Sequence, residues 1–138
     1  MMQRSDFAFF HPLRVRYSEI DAQGIVYNSH NLTYFDLAIT EYMRHIGYNV
    51  SPLVMQAQGK DFHVVKATVE YKAPMRYDDE LEIHIRAGRV GRSSITWELA
   101  IFRKGEAAVL STGEVIWVYT DQETHKSTPL PGELRERL

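Results

Sequence analysis

Cysteine is missing from the 138 residues, which excludes a disulfide framework and every thiolate metal site and fits a reducing compartment. No apolar stretch approaches membrane-spanning length, and the N-terminus, with Arg4, Asp6 and only the short apolar patch Phe7 to Phe10, shows no signal peptide. A cytoplasmic protein with no membrane partner is expected. Long runs of like charge are missing too: 16 basic side chains stand against 18 acidic ones, for a formal net charge of −2, so there is neither a basic arm nor an acidic tail. Nucleic acid is therefore not an expected partner. No internal repeat or low-complexity segment interrupts the chain. What is present is an ordinary globular composition, 44% hydrophobic and 25% charged, long enough to bury one core and too short for two domains of usual size. A single domain over residues 1–138 is the expectation.

The period of the apolar residues changes once. From about Asn31 to Ile46, Leu32, Phe35, Ile39, Tyr42, Met43 and Ile46 recur every three or four residues and predict one amphipathic helix. Ser29 or Asn31 can cap its start, and Arg44, His45 and Gly47 supply a cationic last turn and a glycine stop. Beyond it the period is two. Val65 to Tyr71, Leu81 to Ala87 and Ile95 to Ile101 alternate apolar with polar as half-buried strands do, and Val109 to Tyr119 turns apolar on both faces, as a central or covered strand would. The Ala73 to Asp79 segment, Val90-Gly91-Arg92 and Lys104-Gly105-Glu106 supply turns, so these strands are expected to run as an antiparallel meander. A shorter strand on Leu13, Val15 and Tyr17 precedes the helix, and the tail from Asp121 reads as loop with at most a short terminal helix. One helix of about 16 residues spans about 24 Å and can cover one face of a five-stranded sheet. The other face and the edges stay open, and self-association is the natural remedy.

The link between first strand and helix, Tyr17 to Asn31, is too rich in special residues for a plain connector. Asp21, Gly24 and Tyr27 lie just ahead of a helix N-terminus, where unpaired N–H groups and the macrodipole favour negative charge and can stabilise an oxyanion. The six histidines, His11, His30, His45, His63, His84 and His125, include no pair at helical ligand spacing with an acidic partner motif, so no metal is expected. Most read as surface or strand residues; His30 lies close to the link.

Asp21-Ala22-Gln23-Gly24-Ile25-Val26-Tyr27, followed by Asn31-Leu32-Thr33-Tyr34-Phe35-Asp36, resembles the signature of the 4-hydroxybenzoyl-CoA thioesterase and YbgC-like branch of the hotdog superfamily. The likeness continues through Tyr71-Lys72-Ala73-Pro74, Tyr77 to Leu81 and Val90 to Ser94, and spans roughly Pro12 to Asp121. It implies an α+β hotdog fold, a five-stranded antiparallel sheet wrapped around one long central helix, and hydrolysis of acyl-CoA thioesters; the uncovered sheet face and edges add the expectation of a homodimer or homotetramer. Asp21 would attack the thioester carbonyl or activate water, and a backbone N–H near Tyr27 and Asn28 would meet the oxyanion. No cofactor is implied, coenzyme A entering only as part of the substrate.

Several family members carry a histidine directly after the tyrosine. This chain has Asn28 there, which can hydrogen-bond but cannot shuttle a proton, and His30 is the one histidine near enough to compensate. Gly24 is expected at the substrate, and Arg89, Arg92, Lys72 and Arg76 are candidates to neutralise the CoA phosphates. Phe35, Phe62 and Trp97 are candidates for the acyl pocket, with plain core as the alternative. Two rival functions share the cradle: a hotdog dehydratase or hydratase, which would need an acid–base pair, and an acyl-CoA-binding module without catalysis.

Overall fold

A computed structural model of the protein describes residues 2–138. Its elements are β1 (Phe9–Arg14), α1 (His30–His45), α2 (Pro52–Gln58), β2 (Lys60–Tyr71), β3 (Glu80–Val90), β4 (Ser94–Arg103), β5 (Val109–Asp121) and α3 (Gly132–Arg137). The strands form one five-stranded sheet in the order β1-β3-β4-β5-β2, every pairing antiparallel.

Helix α1 lies on one face of this sheet. Tyr34, Phe35, Ala38, Ile39 and Met43 are fully buried against Ile83, Ile85, Trp97, Leu99, Ile101 and Val115. Each large side chain so buried contributes about 1.5–3 kcal/mol, whereas helix propensities differ by less than about 1 kcal/mol per residue. Packing, more than propensity, holds α1. The approach is close at Gly113 on β5, where a Cβ would stand 2.3 Å from the Phe35 ring and 2.6 Å from the Thr68 carbonyl. Only glycine fits there. The buried stripe is centred slightly off the predicted one: Tyr34 and Ala38 point inward, while Leu32 is 38% exposed.

Three expectations need correcting. Strands β3, β4 and β5 form a meander, but β2 does not join it next to β3; it crosses to the far side of β5, so that Tyr71 pairs with Ser111 and Lys60 with Asp121. Both faces of β2 are largely exposed instead of half-buried. The first strand is Phe9–Arg14, not the run through Tyr17, because Tyr17–Glu19 is drawn into a 3₁₀ turn by the Glu19 carboxylate, which accepts the Arg16 N–H at 2.8 Å. His84 on β3 is buried, since Phe7 and Phe10 from the N-terminal segment lie against its ring.

Helix α2 was not expected from the sequence pattern; Pro52 in its first turn and Gly59, in the left-handed region at φ +66°, bound it. The C-terminal segment binds the far end of the fold together. Leu130 and Leu134 are buried, Arg135 donates to the Gly91 carbonyl at 2.7 Å, and Arg137 donates to the Gly47 carbonyl just past α1 at 2.7 Å.

Candidate active site

The link between β1 and α1 is folded by its own backbone. Asp21 N–H donates to the Ile25 carbonyl and Gly24 N–H to the Asp21 carbonyl, both at 2.9 Å. This tight turn needs a left-handed residue, which Gly24 supplies at φ +78°. Val26 N–H donates to the Met75 carbonyl at 2.8 Å and anchors the turn to the segment after β2. The Asp21 carboxylate accepts the Gln23 N–H at 2.8 Å through one oxygen.

Beneath the turn is a residue that the sequence did not single out. Glu19 is buried, and its carboxylate accepts Arg16 N–H at 2.8 Å, Arg16 Nη2 at 2.9 Å and the Tyr34 hydroxyl at 3.0 Å. Burial alone would push this carboxyl up; the hydrogen bonds from Arg16 and Tyr34 outweigh it and hold it below the ordinary range. The same burial, reinforced by the Glu19 charge, pushes the Tyr34 phenol well up. The Glu19 carbonyl also accepts the Tyr27 N–H at 2.9 Å. The Tyr27 N–H is thereby committed, whereas the N–H of the next peptide, that of Asn28, is not.

The Asn28 carbonyl accepts three hydrogen bonds, from Asn31 N–H at 3.2 Å, Asn31 Nδ2 at 3.1 Å and the Tyr71 hydroxyl at 3.2 Å. Those bonds hold the Asn28–Ser29 peptide. The Asn28 N–H belongs to the preceding Tyr27–Asn28 peptide, whose carbonyl accepts the His30 N–H at 3.0 Å, and this N–H has no acceptor among the described residues. Ser29 occupies the N-cap position of α1 without a side-chain cap; the His30, Asn31 and Leu32 N–H groups donate to the Tyr27, Asn28 and Ser29 carbonyls, and the macrodipole favours negative charge at this end.

These groups line a cleft of about 450 Å³, in which Asp21, Asn28, Asn31, Lys72 and Ser111 join the backbone from Tyr71 to Met75. Three of the predicted residues, Asp21, Asn28 and Lys72, thus come together, although Lys72 at the rim is paired with Glu70 at 2.8 Å. Gly24 shapes the turn without lining the cleft, and Tyr27 and His30 stand beside it with their rings edge to face at 6.0 Å. Arg89 and Arg92 are exposed at the opposite end of the sheet: the β3–β4 turn lies beside Val118, about 23 Å along β5 from Ser111. One protomer does not bring them to the cleft. Phe35 and Trp97 are fully buried core, and Phe62 packs against Trp117 and Tyr119. A larger depression of about 620 Å³ between the ends of α1 and α2 is lined by Thr40, Arg44 and Gly47–Pro52 and contains no carboxylate or histidine. Volume does not select the site; a carboxylate and a backbone N–H without a protein acceptor in one cleft do. Among the described residues no three His, Cys, Asp or Glu side chains gather in metal-binding geometry, and no helix is long and apolar enough to cross a membrane.

A single helix laid across a five-stranded antiparallel sheet, with a carboxylate turn ahead of the helix, is the hotdog architecture of thioesterases. The family model of the thioesterase-like superfamily matches residues 15–138. The chain is similar to the acyl-CoA thioester hydrolase YbgC of Escherichia coli, 35% identical over 120 residues that make up 87% of each chain. It is also similar to the acyl-CoA thioesterase YbgC of Haemophilus influenzae, 28% identical over 94% of this chain and 93% of that one. A solved Pseudomonas aeruginosa structure superposes with a TM-score of 0.87 at 27% identity, covering 99% of this chain and 92% of the other. The 1,4-dihydroxy-2-naphthoyl-CoA thioesterase of Synechocystis matches with a TM-score of 0.87 over 94% of this chain and 93% of its own, at 18% identity, a likeness of fold. The chain belongs to the thioesterase-like superfamily, and within it to the YbgC-like thioesterases.

Proposed function

We propose that this protein hydrolyses acyl-CoA thioesters to the free acid and CoA, with Asp21 as the catalytic carboxylate and the Asn28 N–H as the oxyanion donor. The Tyr27–Asn28 peptide carries this reading: its carbonyl accepts the His30 N–H at 3.0 Å, while its N–H, that of Asn28 just ahead of α1, has no acceptor among the described residues. A thioester carbonyl seated there would gain negative charge beside the helix N-terminus as a tetrahedral intermediate forms, and a fixed donor of this kind contributes about 10²–10³ in turnover. Asp21 supplies either a nucleophile or a base for water. Collapse of the intermediate expels CoA as its thiolate. The chemistry is written with protein groups alone, no cofactor and no metal being required. Replacing Asn28 by alanine should leave most of kcat, because the donor is backbone. Asn28→Pro, which deletes the N–H, should lower kcat about 10²–10³-fold; an unchanged kcat would remove the oxyanion assignment.

The working form is proposed to be a homodimer paired through β2. This strand is 12 residues long, lies at the edge of the sheet and exposes Val64 and Val65 at 55% and 60%. An unpaired edge of that length invites another strand. Antiparallel pairing of two β2 strands would lay the β3–β4 turn of one protomer at the cleft end of the other. Arg89 and Arg92 would then serve a second protomer's CoA phosphates, joining Lys72 there. A cytoplasmic location is part of the same proposal, with acyl-CoA as the proposed substrate.

A further inference from the structure

Asn31 and Ser111 come from distant parts of the chain and meet because of the packing already described. Phe35 lies over Gly113; Asn31 is one helical turn before Phe35, and Ser111 is two residues before Gly113 on the same face of β5. Both line the cleft that holds Asp21. Both are almost wholly buried, at 2% and 1% exposure. Among the described residues, the buried side-chain polar atoms without a protein partner are Asn31 Oδ1, Ser111 Oγ, His84 Nδ1 and Trp97 Nε1. His84 lies among Phe7, Phe10 and Phe102 on the opposite face of the sheet, and Trp97 lies in the core. The two oxygens are the pair that shares the active-site cleft.

Buried polar atoms are normally satisfied, and where the protein supplies no partner an ordered water commonly does. The Asn31 amide cannot turn to relieve its oxygen, because Nδ2 is committed to the Asn28 carbonyl at 3.1 Å. Its Oδ1 is therefore a fixed acceptor, and the Ser111 hydroxyl a donor free to turn. Resting on the thioesterase reading of this cleft, we infer that Asn31 and Ser111 seat the hydrolytic water and that Asp21 acts on it as a general base.

A water molecule has two protons and two lone pairs, and this site uses all four. One proton is given to Asn31 Oδ1 and the other to the Asp21 carboxylate; one lone pair accepts the Ser111 hydroxyl and the other faces the thioester carbonyl carbon. In the chemical step the water oxygen bonds to that carbon while its proton passes to Asp21. The carbonyl electron pair moves onto oxygen beside the Asn28 N–H. The tetrahedral intermediate then re-forms the carbonyl, the C–S bond breaks, and the CoA thiolate takes the proton from Asp21. The product acid loses its own proton to solvent, leaving Asp21 ionised for the next cycle. Asn31 and Ser111 act through the water and are positioning residues.

The test compares Ser111→Ala, Ser111→Thr and Asp21→Asn with the wild type by thiol release from acyl-CoA, together with thermal unfolding. Ser111→Ala deletes a hydroxyl that has no protein partner, so it should fold with an unchanged or raised Tm. Its kcat should fall about 10-fold, the worth of one hydrogen bond made to the attacking water, with KM unchanged and the acid limb of the pH–rate profile in place. Ser111→Thr, which keeps the hydroxyl, should recover a large part of the loss. A Ser111→Ala enzyme with wild-type kcat beside an inactive Asp21→Asn enzyme would overturn the water seat and leave the thioesterase reading standing. Wild-type kcat in both variants would overturn the two together.

Discussion

The Tyr71 hydroxyl, at the end of β2, donates to the Asn28 carbonyl at 3.2 Å. An edge strand thereby holds the Asn28–Ser29 peptide, the one next to the proposed oxyanion donor, across 43 residues of sequence. The same strand is the proposed dimer edge, so catalysis and assembly meet in one element. Tyr71 is 57% exposed, which puts its hydrogen bond at the weak end of the usual scale, near 0.5 kcal/mol. Tyr71→Phe should therefore lower kcat only about 2–3-fold, because Asn31 supplies the other two donors, and stopped-time thiol release would detect that. A loss of 100-fold would mean that the hydroxyl touches substrate.

Glu19 should make folding acid-sensitive. Its carboxyl is held below the ordinary value of 4.5 in the folded protein, so the unfolded chain binds the proton more readily. The stability that Glu19 contributes is then complete above about pH 4.5 and is lost as pH falls through its lower folded value. Urea unfolding of the wild type should show this decline, and Glu19→Gln should show less of it. Glu19→Ala, which strands the Tyr34 hydroxyl and the Arg16 N–H, should cost about 1–3 kcal/mol at neutral pH.

His84 acts in a different window. Burial pushes its imidazole below the ordinary 6.5, against the opposing pull of Glu82. The folded protein therefore resists a proton that the unfolded chain accepts. Stability from the neutral ring is complete above about pH 6.5 and declines as pH drops below it. Thermal unfolding between about pH 7.5 and pH 5.5 should show Tm falling in the wild type and a flatter curve in His84→Phe. Equal slopes would mean that the ring is solvated.

Much of the architecture could be read from periodicity. The stripe of α1 and the alternation in β3 and β4 identify each element, because burial on one face imposes the spacing. What periodicity does not encode is which edge a strand joins, and β2 crossed beyond β5 for that reason. The position of β1 turned on one carboxylate, Glu19, which captures the chain after Val15. In the site, Asp21 was legible through its motif, and Asn28 stood out as the position where the chain departs from it. Ser111 was not, since a serine in an alternating strand looks like filler until the register sets it beneath Asn31. Nor could the sequence show that Arg89 and Arg92 lie a sheet's length from Lys72.

That separation makes the dimer testable. Val65→Lys on the exposed β2 edge should shift sedimentation toward monomer, raising KM for acyl-CoA. Arg92→Ala should raise KM for acyl-CoA about 3–10-fold while leaving an acyl-pantetheine, which lacks the nucleotide phosphates, little changed. If both substrates respond alike, Arg92 does not bind those phosphates.

The most direct measurement is thiol release from short, long and aromatic acyl-CoAs by the wild type and by Asp21→Asn, which keeps shape and removes charge and basicity. Turnover by the wild type, with a loss of at least about 10²-fold in a folded Asp21→Asn variant, is the predicted result. A variant that hydrolyses as fast as the wild type, or a wild type that binds acyl-CoA without turning it over, would contradict Asp21 as the catalytic carboxylate.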